Sequence, residues 1–285
     1  MNEPVVIHGP TEPRVALLLD SPHSGHAFPS DFDAVLSEFD LRDGEDSFID
    51  ELYRPATELG VVLIAAQFPR TYLDPNRHAG DIDLELIDDG RWPDAWVPSG
   101  KADLGKALIW RTLDDGRPIY ARKLGVAEIA SRIARCHVPY HGALTRWIDA
   151  THARFGVSYH INCHSMNEVA GVLGEGGRGS RRADFVLGDR DGSTCEAGFT
   201  AFVKQWLESA GYEVKVNDPY KGVELVRAYS DPPRGRHSLQ IEINKRLYMD
   251  ERSRTRHAGF DALQKNLRGL IAALIDYADS RRPRG

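Results

Sequence analysis

The chain is 285 residues long, 41% hydrophobic and 27% charged, with a formal net charge of -6. These values fit a globular protein with a full core and exclude wholesale disorder; they offer no overall attraction to nucleic acid or an anionic membrane, though an acidic protein can still hold a local basic pocket. Three cysteines cannot build a disulfide framework, no apolar run nears the roughly 18 residues of a membrane span, and the N-terminus lacks the form of a signal peptide, so the sequence reads as a soluble, cytoplasmic protein.

In chain order, residues 15–20 are a short apolar run ending in Asp20-Ser21-Pro22, which predicts a strand that opens into a loop. Residues 44–59 place Phe48, Ile49, Leu52, Tyr53, Ala56 and Leu59 at helical spacing, with Pro55 expected to kink or shorten the helix. Residues 61–67 read as a second buried strand. Residues 81–125, rich in Asp, Gly, Pro and Trp, have weak periodicity and read as long loops with short elements. A strong helical pattern covers 126–155, with Pro139 marking a kink or a break. Further strands are predicted at 159–163, 185–187, 212–216 and 238–243, and further helices at 194–210 and 257–278. Strands alternating with helices imply one three-layer α/β domain over residues 1–280 with a mostly parallel or mixed sheet, followed by a frayed tail at 281–285.

In open α/β sheets, reactive groups gather beyond the carboxyl ends of the strands. Three predicted strands end in polar residues: Asp20-Ser21-Pro22-His23-Ser24-Gly25-His26, Asn162-Cys163-His164-Ser165-Met166, and Gln240-Ile241-Glu242-Ile243-Asn244. A hydrolytic zinc ion needs three nitrogen or oxygen ligands and an open position. Of the 11 histidines, His23 and His164 could supply two of these ligands, with Asp46 as the third. Asp50, four residues on and on the same helix face, and Glu45 are rivals for the carboxylate; each histidine could equally be a strand cap. Segment 70–77, Arg-Thr-Tyr-Leu-Asp-Pro-Asn-Arg, follows the second strand. An arginine beside an asparagine suits a substrate carboxylate, and Asp-Pro-Asn also suits a surface turn.

Taken together, these segments resemble the N-formylglutamate amidohydrolase (N-formylglutamate deformylase) family, within the zinc carboxypeptidase and aspartoacylase-like group. The resemblance runs in order through Ser21-Pro22-His23-Ser24-Gly25, Glu45-Asp46, the Arg70–Arg77 segment, Pro139-Tyr140-His141, Cys163-His164-Ser165-Met166, Leu187-Gly188-Asp189-Arg190-Asp191-Gly192, Leu239-Gln240-Ile241-Glu242-Ile243-Asn244 and Leu247-Tyr248-Met249-Asp250-Glu251. It implies a single α/β/α domain with a central mixed sheet, phosphorylase/hydrolase-like and zinc exopeptidase-like. It also implies one Zn2+ held by His23, Asp46 and His164, with Glu242 as general base. Asn76, Arg77 and Arg227 would contact the substrate, Arg111 would polarise the carbonyl, and His237 would support the Glu242 strand. The substrate implied is a small anionic N-acyl amino acid, N-formyl-L-glutamate first. Alternatives are a deacylase or carboxypeptidase acting on another amide, or a non-catalytic ligand-binding relative. The sequence departs from the family's Lys-Gly-Gly-Tyr-Ile-Thr-Arg at Lys221-Gly222-Val223-Glu224-Leu225-Val226-Arg227, where a glycine is lost and an acid appears.

Overall fold

The computed structural model describes residues 3–88, 91–172 and 177–283. Seven strands make one mixed sheet: β1 Val5–His8, β2 Leu17–Ser21, β3 Val62–Ala66, β4 Ser158–Met166, β5 Phe185–Gly188, β6 Val214–Val216 and β7 Arg236–Asn244, in the order β1-β3-β2-β4-β7-β5-β6. The four central strands, β3, β2, β4 and β7, are parallel, so their carboxyl ends share one edge. β1 pairs antiparallel with β3, and β5 antiparallel with β7. A two-stranded hairpin, β8 Met249–Asp250 with β9 Thr255–Arg256, lies outside this sheet.

The helices are α1 Glu38–Leu41, α2 Ile49–Tyr53, α3 Val126–Arg132, α4 Val138–Phe155, α5 Ala197–Ser209, α6 Glu224–Ala228 and α7 Gly259–Ser280. α2, α5 and α7 bury Leu52, Phe199, Val203, Leu267 and Leu270 against one face of the sheet; α3 and α4 bury Ile129, Leu144 and Ile148 against the other. Successive strand residues point to opposite faces. Leu17 and Leu19, Ile161 and Cys163, and Leu239 and Ile241 all enter the α5/α7 core. Their neighbours Asp20, His160, Asn162, His164, Gln240 and Glu242 therefore face the α4 side. That side is apolar under β3 and the start of β2, and polar from Asp20 across β4 and β7, which reserves the middle of a buried sheet for chemistry.

Two predicted helices are interrupted for reasons visible at single prolines. Instead of one helix over 44–59, α2 gives way to a tighter 3-10 turn, Arg54–Leu59, with Pro55 in its first turn, where no N–H donor is needed. Helix 126–155 is broken into α3, a π turn Ile133–His137 and α4, with Pro139 in the first turn of α4. The wider turn accommodates the missing proline N–H without ending the helix. The tail expected to be frayed is docked over residues 281–283: the Arg282 guanidinium lies 4.2 Å from the Phe155 ring, while residues 284 and 285 fall outside the described residues. β1 and the β8–β9 hairpin were not foreseen. Among the described residues no helix is long and apolar enough to cross a membrane.

Candidate active site

The loop after β2 is pressed against the end of β3. A Cβ on Gly25 would lie 2.3 Å from the Gln67 carbonyl carbon, so no larger residue fits without moving backbone. This close approach places His23, which is fully buried, over the carboxyl edge of the sheet. The backbone N–H of Asp46 donates to the His23 carbonyl at 3.0 Å, and the Ser24 hydroxyl donates to the Asp46 carbonyl at 3.1 Å. The two loops are thus laced together before any side chain meets.

Their side chains then converge with that of β4. Asp46 Oδ2 lies 3.2 Å from His23 Nδ1 and 3.0 Å from His164 Nδ1, and Ser165 donates to Oδ1 at 3.1 Å. The three potential ligand atoms fall within 4.8 Å of one another. The far nitrogen of each ring is anchored: His23 Nε2 is 2.7 Å from Asp74, and His164 Nε2 is 2.7 Å from Asn162 Oδ1. Carboxylate or amide partners of this kind fix the tautomer that turns the other nitrogen towards a metal. Asn162 donates at 2.8 Å to Asp20, which also meets His160 at 2.8 Å and the Tyr140 hydroxyl at 2.6 Å. Burial alone would raise the Asp46 carboxyl pKa; hydrogen bonds from His164 and His23 outweigh it and hold the group well below the usual carboxylate range. Burial lowers the His164 pKa. A buried carboxylate flanked by two imidazole rings is a donor set that fits a divalent metal ion.

Glu242 on β7 is the direct register partner of His164 on β4. Gln240 donates to its Oε1 at 2.8 Å. A cavity of about 320 Å³ opens over this pair, lined by Arg70, Asn76, Arg77, His164, Gln240 and Glu242 among others. Arg70 donates to Asp74 at 2.9 Å, and Arg77 reaches the same carboxylate at 3.7 Å. Asn76 is fixed from both sides, accepting from the Leu225 N–H at 2.9 Å while its Nδ2 sits 3.2 Å from His164 Nε2.

The amino-acid sequence matches the family model for N-formylglutamate amidohydrolase over residues 15–249. The chain belongs to that family. A crystal structure of the N-formylglutamate amidohydrolase from Ralstonia eutropha superposes with a TM-score of 0.90 at 43% identity, covering 97% of this chain and 99% of that one. The N-formylglutamate deformylase of Pseudomonas aeruginosa is 28% identical over 94% of this chain and 96% of its own length. An Agrobacterium tumefaciens gene product shares the fold, with a TM-score of 0.69 at 17% identity. Membership makes the protein a hydrolase acting on an amide, on an α/β fold with a mixed sheet as the sequence predicted.

Within this N-formylglutamate amidohydrolase fold, His23, Asp46, His164, Glu242, Asn76 and Arg77 come together. The rivals of Asp46 do not join them: both Glu45 oxygens face Arg42 at 2.5 and 2.8 Å, and Asp50 pairs with Arg54 at 3.4 Å. Arg111 is placed apart from this group. Its guanidinium is held by Asp83 at 2.7 Å and Glu85 at 3.0 Å, and it does not line the cavity over Glu242. Arg227 is held by both Glu224 oxygens, at 2.9 and 2.7 Å, and lines a neighbouring cavity on the far side of Asn76 and Arg77. His237 sits at the opening of β7, its ring stacked on Tyr159 at 4.8 Å, on the other face from Glu242. Arg70, by contrast, was missed as a site residue. It opens the Arg70–Arg77 segment, and its signal was the four-residue step to Asp74, which closes a turn and returns the guanidinium over the sheet edge.

Two further histidines set the backbone of that segment. His137 and His141 stack at 3.9 Å; their Nε2 atoms donate to the carbonyls of Arg77 at 3.0 Å and Pro75 at 2.8 Å. Burial, then the neighbouring His137, pushes His141 down to about 4, and burial lowers His137 as well. Between that value and the ordinary 6.5 the unfolded chain binds more protons than the folded one, so the stability they provide is complete above pH 6.5 and is lost as pH falls towards 4. The His141 part is roughly 3 kcal/mol. Urea denaturation across this window should show His141→Asn with a visibly flatter loss than the wild type; parallel curves would exclude the assignment.

Proposed function

We propose that the protein removes the formyl group of N-formyl-L-glutamate, releasing formate and L-glutamate. The observation that carries this reading is the register pairing of His164 with Glu242 on adjacent parallel strands, beneath a cavity walled by Arg70, Asn76 and Arg77. The names of the relatives supply the substrate. A zinc ion held by His23, Asp46 and His164 would supply Lewis acidity at the formyl carbonyl and a lowered pKa for water.

The chain's own groups do the rest. Glu242 takes the proton of the attacking water and delivers it to the departing amine, which needs a carboxylate within reach of both. Arg70 is held by Asp74 with its guanidinium at the cavity wall, where it shares the negative charge that develops on the carbonyl oxygen. Arg77 and Asn76 bind the substrate's α-carboxylate, a planar fork beside an amide donor suiting a planar anion. Asp74 meets the His23 ring on one side and the Arg70 and Arg77 guanidinium groups on others, so one buried carboxylate sets the positions of a metal ligand and both arginines.

The test is a panel of N-formyl and N-acetyl amino acids and C-terminal peptides, measured with metal content before and after chelation. N-formylglutamate should be the best substrate, with activity falling to background on chelation and returning with zinc. Full turnover by demonstrably metal-free protein would remove the zinc; a preference for peptides would replace the deformylase by a carboxypeptidase.

A further inference from the structure

The cavity over Glu242 continues past Ser165 into a second lobe that shares Arg70, Arg77, Lys101 and Tyr220 with the first. Six cationic side chains line this lobe against three carboxylates, and one of the three, Asp46, is turned to His23 and His164. The chemistry proposed above uses Arg70 and Arg77 and gives no task to Lys101, Lys106, Arg182 or Lys245.

Strand topology explains why Arg182 and Lys245 meet. β4 and β7 run on side by side past His164 and Glu242, so Asn167 and Lys245 follow at their adjacent ends. Antiparallel β5 starts beside the end of β7, which brings Arg182 to the same place. Lys245 is 8% exposed and donates to Asn167 Oδ1 at 3.0 Å; Arg182 donates to the Asn167 carbonyl at 3.2 Å, with its guanidinium 5.1 Å from the Tyr220 ring. Lys106, from the loop region, lies 4.7 Å from the Trp110 ring centroid and pairs with Asp114. Burial, reinforced by Arg70, lowers Lys106 to about 8. Like charges held close in a partly desolvated wall are costly unless an anion joins them.

We infer that this lobe receives the second, distal carboxylate of an N-formyl dicarboxylic amino acid, with Lys106, Arg182 and Lys245 as its cationic wall. The inference rests on the deformylase reading for the reacting amide and on the lobe's own charge for the second anion. It assigns selectivity for the substrate side chain to three residues outside the proposed catalytic set, and it replaces Arg227, which Glu224 holds elsewhere, as the second carboxylate contact.

The decisive measurement is the ratio of kcat/KM for N-formylglutamate to that for its neutral isostere N-formylglutamine, in the metal-loaded wild type, Arg182→Gln and Lys245→Met. Loss of one charge-assisted contact should reduce the ratio roughly 10- to 100-fold, mainly through KM for N-formylglutamate. A ratio unchanged in both variants overturns the inference, as does a wild-type ratio near one. Turnover of N-formylglutamine in each variant reports that it is folded. Should the wild type cleave neither compound, the deformylase reading fails, and calorimetry with glutarate and butyrate still decides the lobe. Glutarate must then bind the wild type more tightly than butyrate and lose that advantage in both variants; equal binding of the two acids overturns the inference.

Discussion

Glu242→Gln is expected to lower kcat for N-formylglutamate by about 100- to 10,000-fold, the usual contribution of a positioned general base. The substitution keeps shape and volume at a position that is 7% exposed, and an amide oxygen can still accept the 2.8 Å hydrogen bond from Gln240. The proposed ligands belong to other elements, β4 and the loops after β2 and before α2, so metal content should stay at the wild-type level. KM should change little, because the proposed substrate contacts, Arg77 and Asn76, lie on a different loop. Steady-state kinetics, metal analysis and a thermal melt on one preparation check all three points. Turnover within threefold of wild type, with metal retained, would show that some other group moves the proton.

The centre of this site was legible in the sequence because it is built on period-two strands. Once residues 159–163 and 238–243 are read as buried strands, alternation alone puts Asn162 with His164 and Gln240 with Glu242 on faces away from Ile161 and Ile241. Which strands are neighbours is not written in that pattern, so the pairing of His164 with Glu242 came from the fold. The arginines were harder. Arg77, Arg111 and Arg227 all had plausible local sequence, but a guanidinium goes where its carboxylates are, and Asp83, Glu85 and Glu224 claim two of them. Arg70 and Lys245 carry no motif of their own: one is returned to the site by the turn to Asp74, the other by the accident of following β7 by one residue. Similarly, the loops at 81–125 were expected as loops, but nothing in their composition places Lys106 and Trp110 on the cavity wall, since that depends on contacts between distant segments.

Asp46→Asn should weaken zinc binding by at least about 100-fold, beyond the 10- to 100-fold usual for residues that merely orient ligands. Asp46 is the one member of the trio whose negative charge offsets that of the ion; its oxygens lie 3.2 Å from His23 Nδ1 and 3.0 Å from His164 Nδ1 and accept from the Ser165 hydroxyl. The neutral amide can replace an acceptor oxygen but not the charge. Metal-free Asp46→Asn should therefore also melt below metal-free wild type, by about 1.5–3 kcal/mol for lost charge-assisted hydrogen bonds. Asp50→Asn and Glu45→Gln supply the contrast. Their carboxylates pair with Arg54 and Arg42, so both variants should bind zinc as the wild type does. Equilibrium titration with a competing chelator measures all four proteins. Zinc lost in Asp50→Asn or Glu45→Gln but kept in Asp46→Asn would move the carboxylate ligand to the rival, and with it the geometry by which Glu242 faces the reacting carbonyl.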